Sequence, residues 1–387
     1  MFRHITNTVW VLSLVSLFTD MASEMLYPVM PLYLKQIGFS VLLIGILEGL
    51  AEATAGLSKG YFGRQSDLSG KRIPFVQWGY SLSAVAKPLL ALWTHPAWVF
   101  GARTLDRLGK GIRTGARDAL LSDESASGRK GTVFGFHRSM DTLGAALGPA
   151  LALLYLNFYP QHYRELFLLA FFPGFLAMLS TLWLRPKNLT LKPKNPKPSF
   201  FSAMSYWRQS PQVYKKLSAG LLVFALFNSS DVFLLLRARE SGMDDPSLIG
   251  MYIAYNLVYA LSAYPLGILA DRIGLKNILL FGLLVFSLVY AGMAFSENTF
   301  ILGSLFLLYG LYAAATDGIS KAWISGIVER KDTATALGSF AGFQSIAALL
   351  ASTLTGLLWM LAGAEVSLLT TAIATVAVAV YLRIFVK

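Results

Sequence analysis

Long apolar runs recur along the chain, separated by short polar stretches. At about 1.5 Å of rise per residue, roughly 20 residues of helix cross a hydrocarbon core about 30 Å thick. The pattern predicts twelve such spans. Six fall near 8–34, 40–62, 73–94, 97–119, 131–155 and 164–184, and six near 215–238, 247–269, 276–295, 298–321, 333–357 and 364–384. Between the sixes, Arg185 to Lys216 carries eight basic and no acidic residues, with prolines at 186, 193, 196 and 198. Proline at that density stops a helix, so the first part reads as linker. From Ser199 to Tyr214 aromatic and polar residues mix, which suits either a short interfacial helix or plain linker. The predicted fold class is an all-α polytopic membrane protein. Its predicted domains are an N-terminal six-helix half (1–184), a basic cytoplasmic linker (185–214) and a C-terminal six-helix half (215–387).

One span breaks the apolar pattern. Arg103 to Asp118 reads RTLDRLGKGIRTGARD, five basic and two acidic residues in a stretch flanked by apolar sequence. Its upper end, Arg103 with Asp106, is expected to face a cavity. Its lower end, Lys110 to Asp118, is expected at the cytoplasmic rim, latching the halves or meeting lipid headgroups.

Composition narrows the class. The chain is 55% hydrophobic and only 14% charged, where a soluble domain is nearer a quarter charged. There is no cysteine, which excludes disulfide and thiolate chemistry. A net charge of +12 would suit a nucleic-acid partner, but the basic residues sit in particular short loops, an orientation signal. Arg64, Lys71 and Arg72, then Arg129 and Lys130, the central loop, Arg272 and Lys276, and Arg330 and Lys331 all follow even-numbered spans; Glu240, Asp244, Asp245, Glu297 and Glu365 follow odd ones. Both termini are therefore expected in the cytoplasm, with the protein in a plasma membrane, a bacterial inner membrane by expectation. No cleavable signal is expected, because Asp20 and Glu24 interrupt the first apolar run. No glycine loop for a nucleotide is present, so ATP drive is not expected; nor are an enzyme activity, a cofactor or a metal centre. The expected partners are membrane lipids, a small-molecule substrate and protons, without nucleic acid, the protein acting as a monomer.

The two halves repeat. Gly63-x-x-x-Asp67-x-x-Gly70-Lys71-Arg72 lies between spans 2 and 3; Gly267-x-x-x-Asp271-Arg272-x-Gly274-x-Lys276 lies between spans 8 and 9, 204 residues later. Gly135-Phe136 in span 5 matches Gly338-Ser339-Phe340 in span 11 at nearly that offset. Two similar halves in the same orientation imply a pseudo-twofold axis along the membrane normal, with the substrate path between them.

These loop motifs, the twelve spans and the basic central loop resemble the major facilitator superfamily over essentially the whole chain, in the manner of its bacterial proton-coupled exporters. The resemblance implies that Asp67 and Asp271 are the loop carboxylates that cap a neighbouring helix and tie the cytoplasmic ends together as a breakable latch, with Arg64, Arg72 and Arg272 as candidate partners. Arg103 stands where the family often has a coupling or substrate arginine, although Asp106 and Arg107 depart from the family pattern that follows it. Gly144-x-x-x-Gly148-Pro149 partly resembles the antiporter signature helix of proton-driven exporters; its later glycines are replaced. The same small residues also suit plain close packing.

Charge inside a membrane is costly and must pair or face a cavity. Asp20 and Glu24, and Glu48 and Glu52, are four apart and share a helix face. Either pair is a candidate proton site, since crowded carboxyls share protons; a static ion pair holding the half together is the alternative. Asp141 is expected to answer Arg138 or Arg103. In the second half Asp231, Asp317 and Lys321 stand out, and Asp317 with Lys321, four apart, suits an in-helix pair. Tyr252, Tyr255, Asn256 and Tyr259 have the spacing of a cavity wall or of lipid-facing packing. The function expected is a secondary transporter working by alternating access, exporting a small amphipathic or chelating compound against protons. The alternatives are a symporter or facilitator importing a small anionic solute, and a divalent metal-ion exporter using hard ligands such as Asp20 and Glu24.

Overall fold

The computed structural model describes residues 5–27, 29–185 and 205–386, the side chains at 31, 32, 41, 42, 45, 48, 245, 246 and 249 excepted. Most of the central linker, including Ser199 to Met204, lies outside the described residues. Fourteen α-helices are described: α1 Asn7–Glu24, α2 Met30–Gln36, α3 Val41–Ser69, α4 Ile73–Leu92, α5 Pro96–Glu124, α6 Lys130–Phe158, α7 Tyr163–Ser180, α8 Tyr206–Gln209, α9 Gln212–Phe227, α10 Val232–Glu240, α11 Asp245–Ile273, α12 Leu275–Phe295, α13 Thr299–Ile327 and α14 Thr333–Phe385. The protein is a polytopic all-α membrane protein with twelve crossings in two related halves. Among the described residues seven helical stretches are long and apolar enough to cross by length and composition alone; α5 is too charged to qualify that way.

Local chemistry sets the ends. Thr6 and Ser40 hydroxyls accept from the Val9 and Leu43 amides at 3.3 and 3.2 Å, and the Asn298 side chain accepts from Phe300, which opens α1, α3 and α13. Gly70 stops α3 in the left-handed region at φ 66°. Inside the 53-residue α14, Gly363 at φ 88° and ψ 167° turns the chain, so α14 is two crossings end to end.

Spans 1 and 7 correct the sequence expectation of single helices. Span 1 is α1 and α2, interrupted by turns at Met25–Tyr27; span 7 is α9 and α10, interrupted at Asn228–Asp231. The breaks fall at corresponding places in the two halves. The second pieces are anchored on helix ends: the Tyr33 hydroxyl of α2 donates to Leu90 O of α4 at 3.1 Å, and Arg237 of α10 donates to Met293 O and Ala294 O of α12 at 3.1 and 3.2 Å. Each satisfies a carbonyl that the helix C-terminus leaves open, and Arg237 adds a favourable charge there.

The chain forms two compact units. The first holds Met1–Ala126, Met140–Gln209 and Glu329–Gly342; the second holds Ser127–Ser139, Ser210–Val328 and Phe343–Lys387. The opening turns of α6 thus group with α9–α13, and the opening turns of α14 group with α1–α5. Within the first unit α5 packs against both α3 and α4; within the second α13 packs against both α11 and α12. Glycines set these seams. A methyl at Gly109 would meet Gly79 O at 2.6 Å, and one at Gly310 would meet Tyr255 O at 2.6 Å.

Candidate functional site

Each unit carries one latch at the loop end of its helices. Asp67 lies in the last turn of α3. A 29-residue helix is about 43 Å long, more than a bilayer core needs, and Asp67 falls beyond the 40–62 span. Its carboxylate accepts from the Ala334 and Thr335 amides at 3.3 and 2.7 Å and from the Thr335 hydroxyl at 2.8 Å, capping α14. In the second unit Asp271 accepts from the Gly131 and Thr132 amides at 2.8 and 2.7 Å and from the Thr132 hydroxyl at 2.5 Å, capping α6. A carboxylate on exposed N–H groups is the favourable pairing with the helix dipole. Gly63 and Gly267 make the approach possible: a methyl at either would collide with the backbone of Ala334 or Gly131.

The first latch has more charge than the second. Arg72 lies 3.4 Å from Asp67 and 2.9 Å from Asp123, and Asp123 also pairs with Arg330 at 2.7 Å. Arg72 further donates to Arg330 O at 3.0 Å. Burial pushes the Asp67 carboxyl up to about 7, against the lowering by Arg72 and by the Thr335 and Ala334 hydrogen bonds. Lys71 and Arg272 are exposed. Sequence reasoning missed Asp123, which has no counterpart in the other half, and the threonines. Thr132 and Thr335 are 203 residues apart, as are Gly135 and Gly338, and that offset was the available signal.

Inside the first unit the charges form one network along α5. Asp106 lies 3.7 Å from Lys87 and 3.6 Å from Arg103, while Arg107 pairs with Glu52 at 3.0 Å. Glu48 is placed on α3, but its side chain lies outside the described residues. At the lower end of the stretch Arg113 and Asp118 are buried. Arg113 donates to Ser83 Oγ at 2.7 Å and sits 4.5 Å over the Tyr80 ring; Asp118 takes Arg117 at 2.8 Å. These groups face the α4 seam, where Gly79 and Gly109 bring the backbones together.

Asp141 meets groups on α1. It accepts from Ser16 Oγ and lies in hydrogen-bonding reach of Asp20, whose other charged neighbours are Glu24 and Lys110. The partial antiporter-like motif explains the contact. Methyls at Gly144 and Gly148 would collide with the backbone of Leu17 and with Met21 O, so these glycines let α6 lie directly on α1. Asp141 sits one turn before Gly144 and Asp20 one turn after Ser16, which brings the two carboxyls together. Pro149 follows inside α6. Glu24 is the last residue of α1, half-buried beside the break.

The second unit holds fewer charges and many tyrosines. Arg138 pairs with Asp317 at 2.7 Å and donates Nε to the Tyr259 hydroxyl, which itself donates to Asp317 at 2.6 Å. Asp317 therefore meets a cation on another helix; Lys321, four residues on, is half-buried on α13. Arg138 and Asp141, on one helix, belong to different units. Tyr255, Asn256 and Tyr259 are buried and Tyr252 half-buried, which corrects the lipid-facing alternative. Tyr255 stacks on Tyr309 at 5.2 Å, Tyr309 donates to Asp231 at 2.7 Å, and Asn228 donates to the Tyr312 hydroxyl at 2.9 Å. Tyr309 and Tyr312 were not singled out from sequence, where an aromatic in a span reads as packing.

Comparison with known proteins adds kinship to this geometry. The sequence matches the model of the Major Facilitator Superfamily over residues 12–251 and 238–387. It is 35% identical over 367 residues to an MFS-type transporter of Methanocaldococcus jannaschii, covering 92% of this chain and 89% of that protein. It is 22% identical over 322 residues to a multi-drug resistance efflux pump PmrA homolog of Lactococcus lactis, covering 81% and 78%. The solved E. coli fucose:proton symporter FucP has the same fold, with a TM-score of 0.80 at 12% identity over 98% of this chain and 99% of that one.

Proposed function

The chain belongs to the major facilitator superfamily, and on that premise we propose that this transporter is a proton-driven exporter of a small amphipathic or chelating compound, working by alternating access in a bacterial inner membrane with both termini cytoplasmic. The observation that carries the proposal is the contact between Asp20 and Asp141 on the α1–α6 seam. Two carboxyls in hydrogen-bonding reach hold one proton between them, and that proton is exchangeable when a neighbouring cation or the solvent changes. Lys110 is such a cation, and the Ser16 hydroxyl orients Asp141. Because Asp20 and Asp141 sit on different helices, sliding α6 along α1 changes the proton affinity of the pair, which links proton release to movement.

The latches fit this cycle. Each is built from hydrogen bonds between one carboxylate and one helix start, so each can open and close as a unit. The relative named as an efflux pump supports the export direction; the fold shared with a proton symporter supports coupling to protons and leaves import as the second reading. Metal-ion export has no comparable support: among the described residues no three His, Asp or Glu side chains converge as a metal site would.

The test is transport in proteoliposomes under an imposed pH gradient with a panel of labelled compounds. Gradient-driven transport is expected for the natural protein and its loss in Asp20→Asn and in Asp141→Asn, with counterflow retained. Driven transport that survives in the double variant would sink the assignment.

A further inference from the structure

The break in span 7 places a carboxylate in an aromatic setting with no cation beside it. Asp231 heads α10, is half-buried, and accepts the Tyr309 hydroxyl at 2.7 Å. Its charged neighbour is Asp317, another carboxylate, and among the described residues no Lys or Arg pairs with it. Asn228, on the other side of the break, gives its amide to the Tyr312 hydroxyl at 2.9 Å, while its Oδ1 is buried and accepts no hydrogen bond from the protein. Tyr309 and Tyr312 follow each other on α13 with ring centroids 5.1 Å apart, and Tyr255 and Tyr252 continue the wall at 5.2 and 5.8 Å.

The balance of groups selects a ligand chemistry. The break presents acceptors: two carboxylate oxygens and an amide oxygen. The Tyr309 donor is already spent on Asp231. An anion would meet Asp231 with Asp317 nearby, and the Tyr312 hydroxyl beside the break carries no charge to compensate. A neutral ligand would leave a charge in the membrane without a counter-charge, which is costly. A protonated amine supplies what is missing, since its N–H groups satisfy Asp231 and Asn228 Oδ1 and its charge is attracted to tyrosine π-faces. An apolar body attached to that amine would lie along the tyrosine wall. Helix breaks at matching places in two repeats are also where transporters of this general design expose polar backbone to a substrate.

We propose that Asp231 and Asn228, with Tyr252, Tyr255 and Tyr309, form the recognition site for the ammonium group of an amphipathic organic amine. This rests on the reading of the protein as a transporter of amphipathic compounds and names their class. Arg138 already pairs with Asp317, the two bridged by Tyr259.

Binding to the purified full-length protein in detergent, without any gradient, separates this proposal from the proton reading. The probes are matched pairs that share a body and differ in charge: tryptamine with indole-3-propionate, and phenethylamine with 3-phenylpropionate. Isothermal titration is expected to show saturable binding of the amines and at least about tenfold weaker binding of the acids, as expected for one buried charge-assisted contact. Asp231→Asn is expected to remove that preference and Asp231→Glu to keep it, both variants remaining monodisperse by gel filtration. The proposal is overturned if no amine binds more tightly than its acid, or if Asp231→Asn retains the natural preference. A failed pH-gradient assay would leave these outcomes untouched, and the converse holds.

Discussion

The two units share a scaffold and differ in what they put inside it. Helices α5 and α13 are each 29 residues long and start 203 residues apart. At that offset Arg103 corresponds to Phe306, Asp106 to Tyr309, Arg107 to Gly310, Lys110 to Ala313 and Arg113 to Thr316. The backbone seam survives the exchange: Gly79 lies against Arg113, and Gly282 against Thr316. The latches survive too, down to the capping threonine. Repetition has therefore kept what sets helix contacts and released what sets chemistry. The first unit solves the membrane problem with a network of opposed charges, the second with hydroxyls and aromatic faces. In the proposed function, proton handling falls to the first unit and recognition of an amphipathic body to the second.

The largest expected effect comes from exchanging the two solutions at the matching position. Asp106→Leu leaves Lys87 and Arg103 without their shared carboxylate, and loss of one member of a buried ionic network costs about 3–5 kcal/mol. Tyr309→Phe removes one hydroxyl from Asp231 and costs about 1–3 kcal/mol. Thermal unfolding in detergent should rank Asp106→Leu well below Tyr309→Phe; equal melting points would erase the distinction between the units.

A smaller effect separates the latches. Asp67→Ala and Asp271→Ala each remove a helix cap, about 1 kcal/mol, but Asp67→Ala also leaves the buried Arg72 with Asp123 as its remaining carboxylate and should open its latch more. The first latch should also respond to pH. Burial raises the Asp67 carboxyl from 3.8 to about 7 when docked, so the docked state binds the extra proton between those values. Docking is then tightest below 3.8, weakens as pH rises towards 7 and is level above it. The chain contains no cysteine, so spin labels at Ser69→Cys and Lys331→Cys can read the docked fraction by pulsed dipolar spectroscopy. Asp67→Asn should flatten the pH profile, and a slope that survives it would assign the response elsewhere.

The smallest effect is expected at Lys331, exposed and paired with Glu329 at 2.5 Å. Lys331→Ala should leave the melting point unchanged, because an exposed ion pair is screened. A loss would mean that the surface near Arg330 belongs to the first latch.

The spans and latch carboxylates were legible because their causes are local. Hydrophobic runs report burial in lipid, and a glycine-framed aspartate at a helix end reports a cap. The breaks in spans 1 and 7 were hidden because hydropathy stays high across Met25–Tyr27 and because Asn228–Asp231 resembles ordinary polar residues inside a span. Asp123 was illegible for another reason: it has no counterpart in the second half, and its partners, Arg72 and Arg330, come from distant loops.

The amino-acid sequence by itself determined the number of crossings, the repeat and the positions of the charges, since these depend on composition and on spacing within one helix. It could not determine which charges meet. Asp317 has Lys321 one turn away, yet it pairs with Arg138, 179 residues distant in sequence. Asp141 meets Ser16, 125 residues distant, and Asp20. A side chain's partner depends on which face its helix turns inward and how closely the next backbone approaches. Gly144 and Gly148 permit that approach, but only the packed α1–α6 seam decides which side chains it brings together.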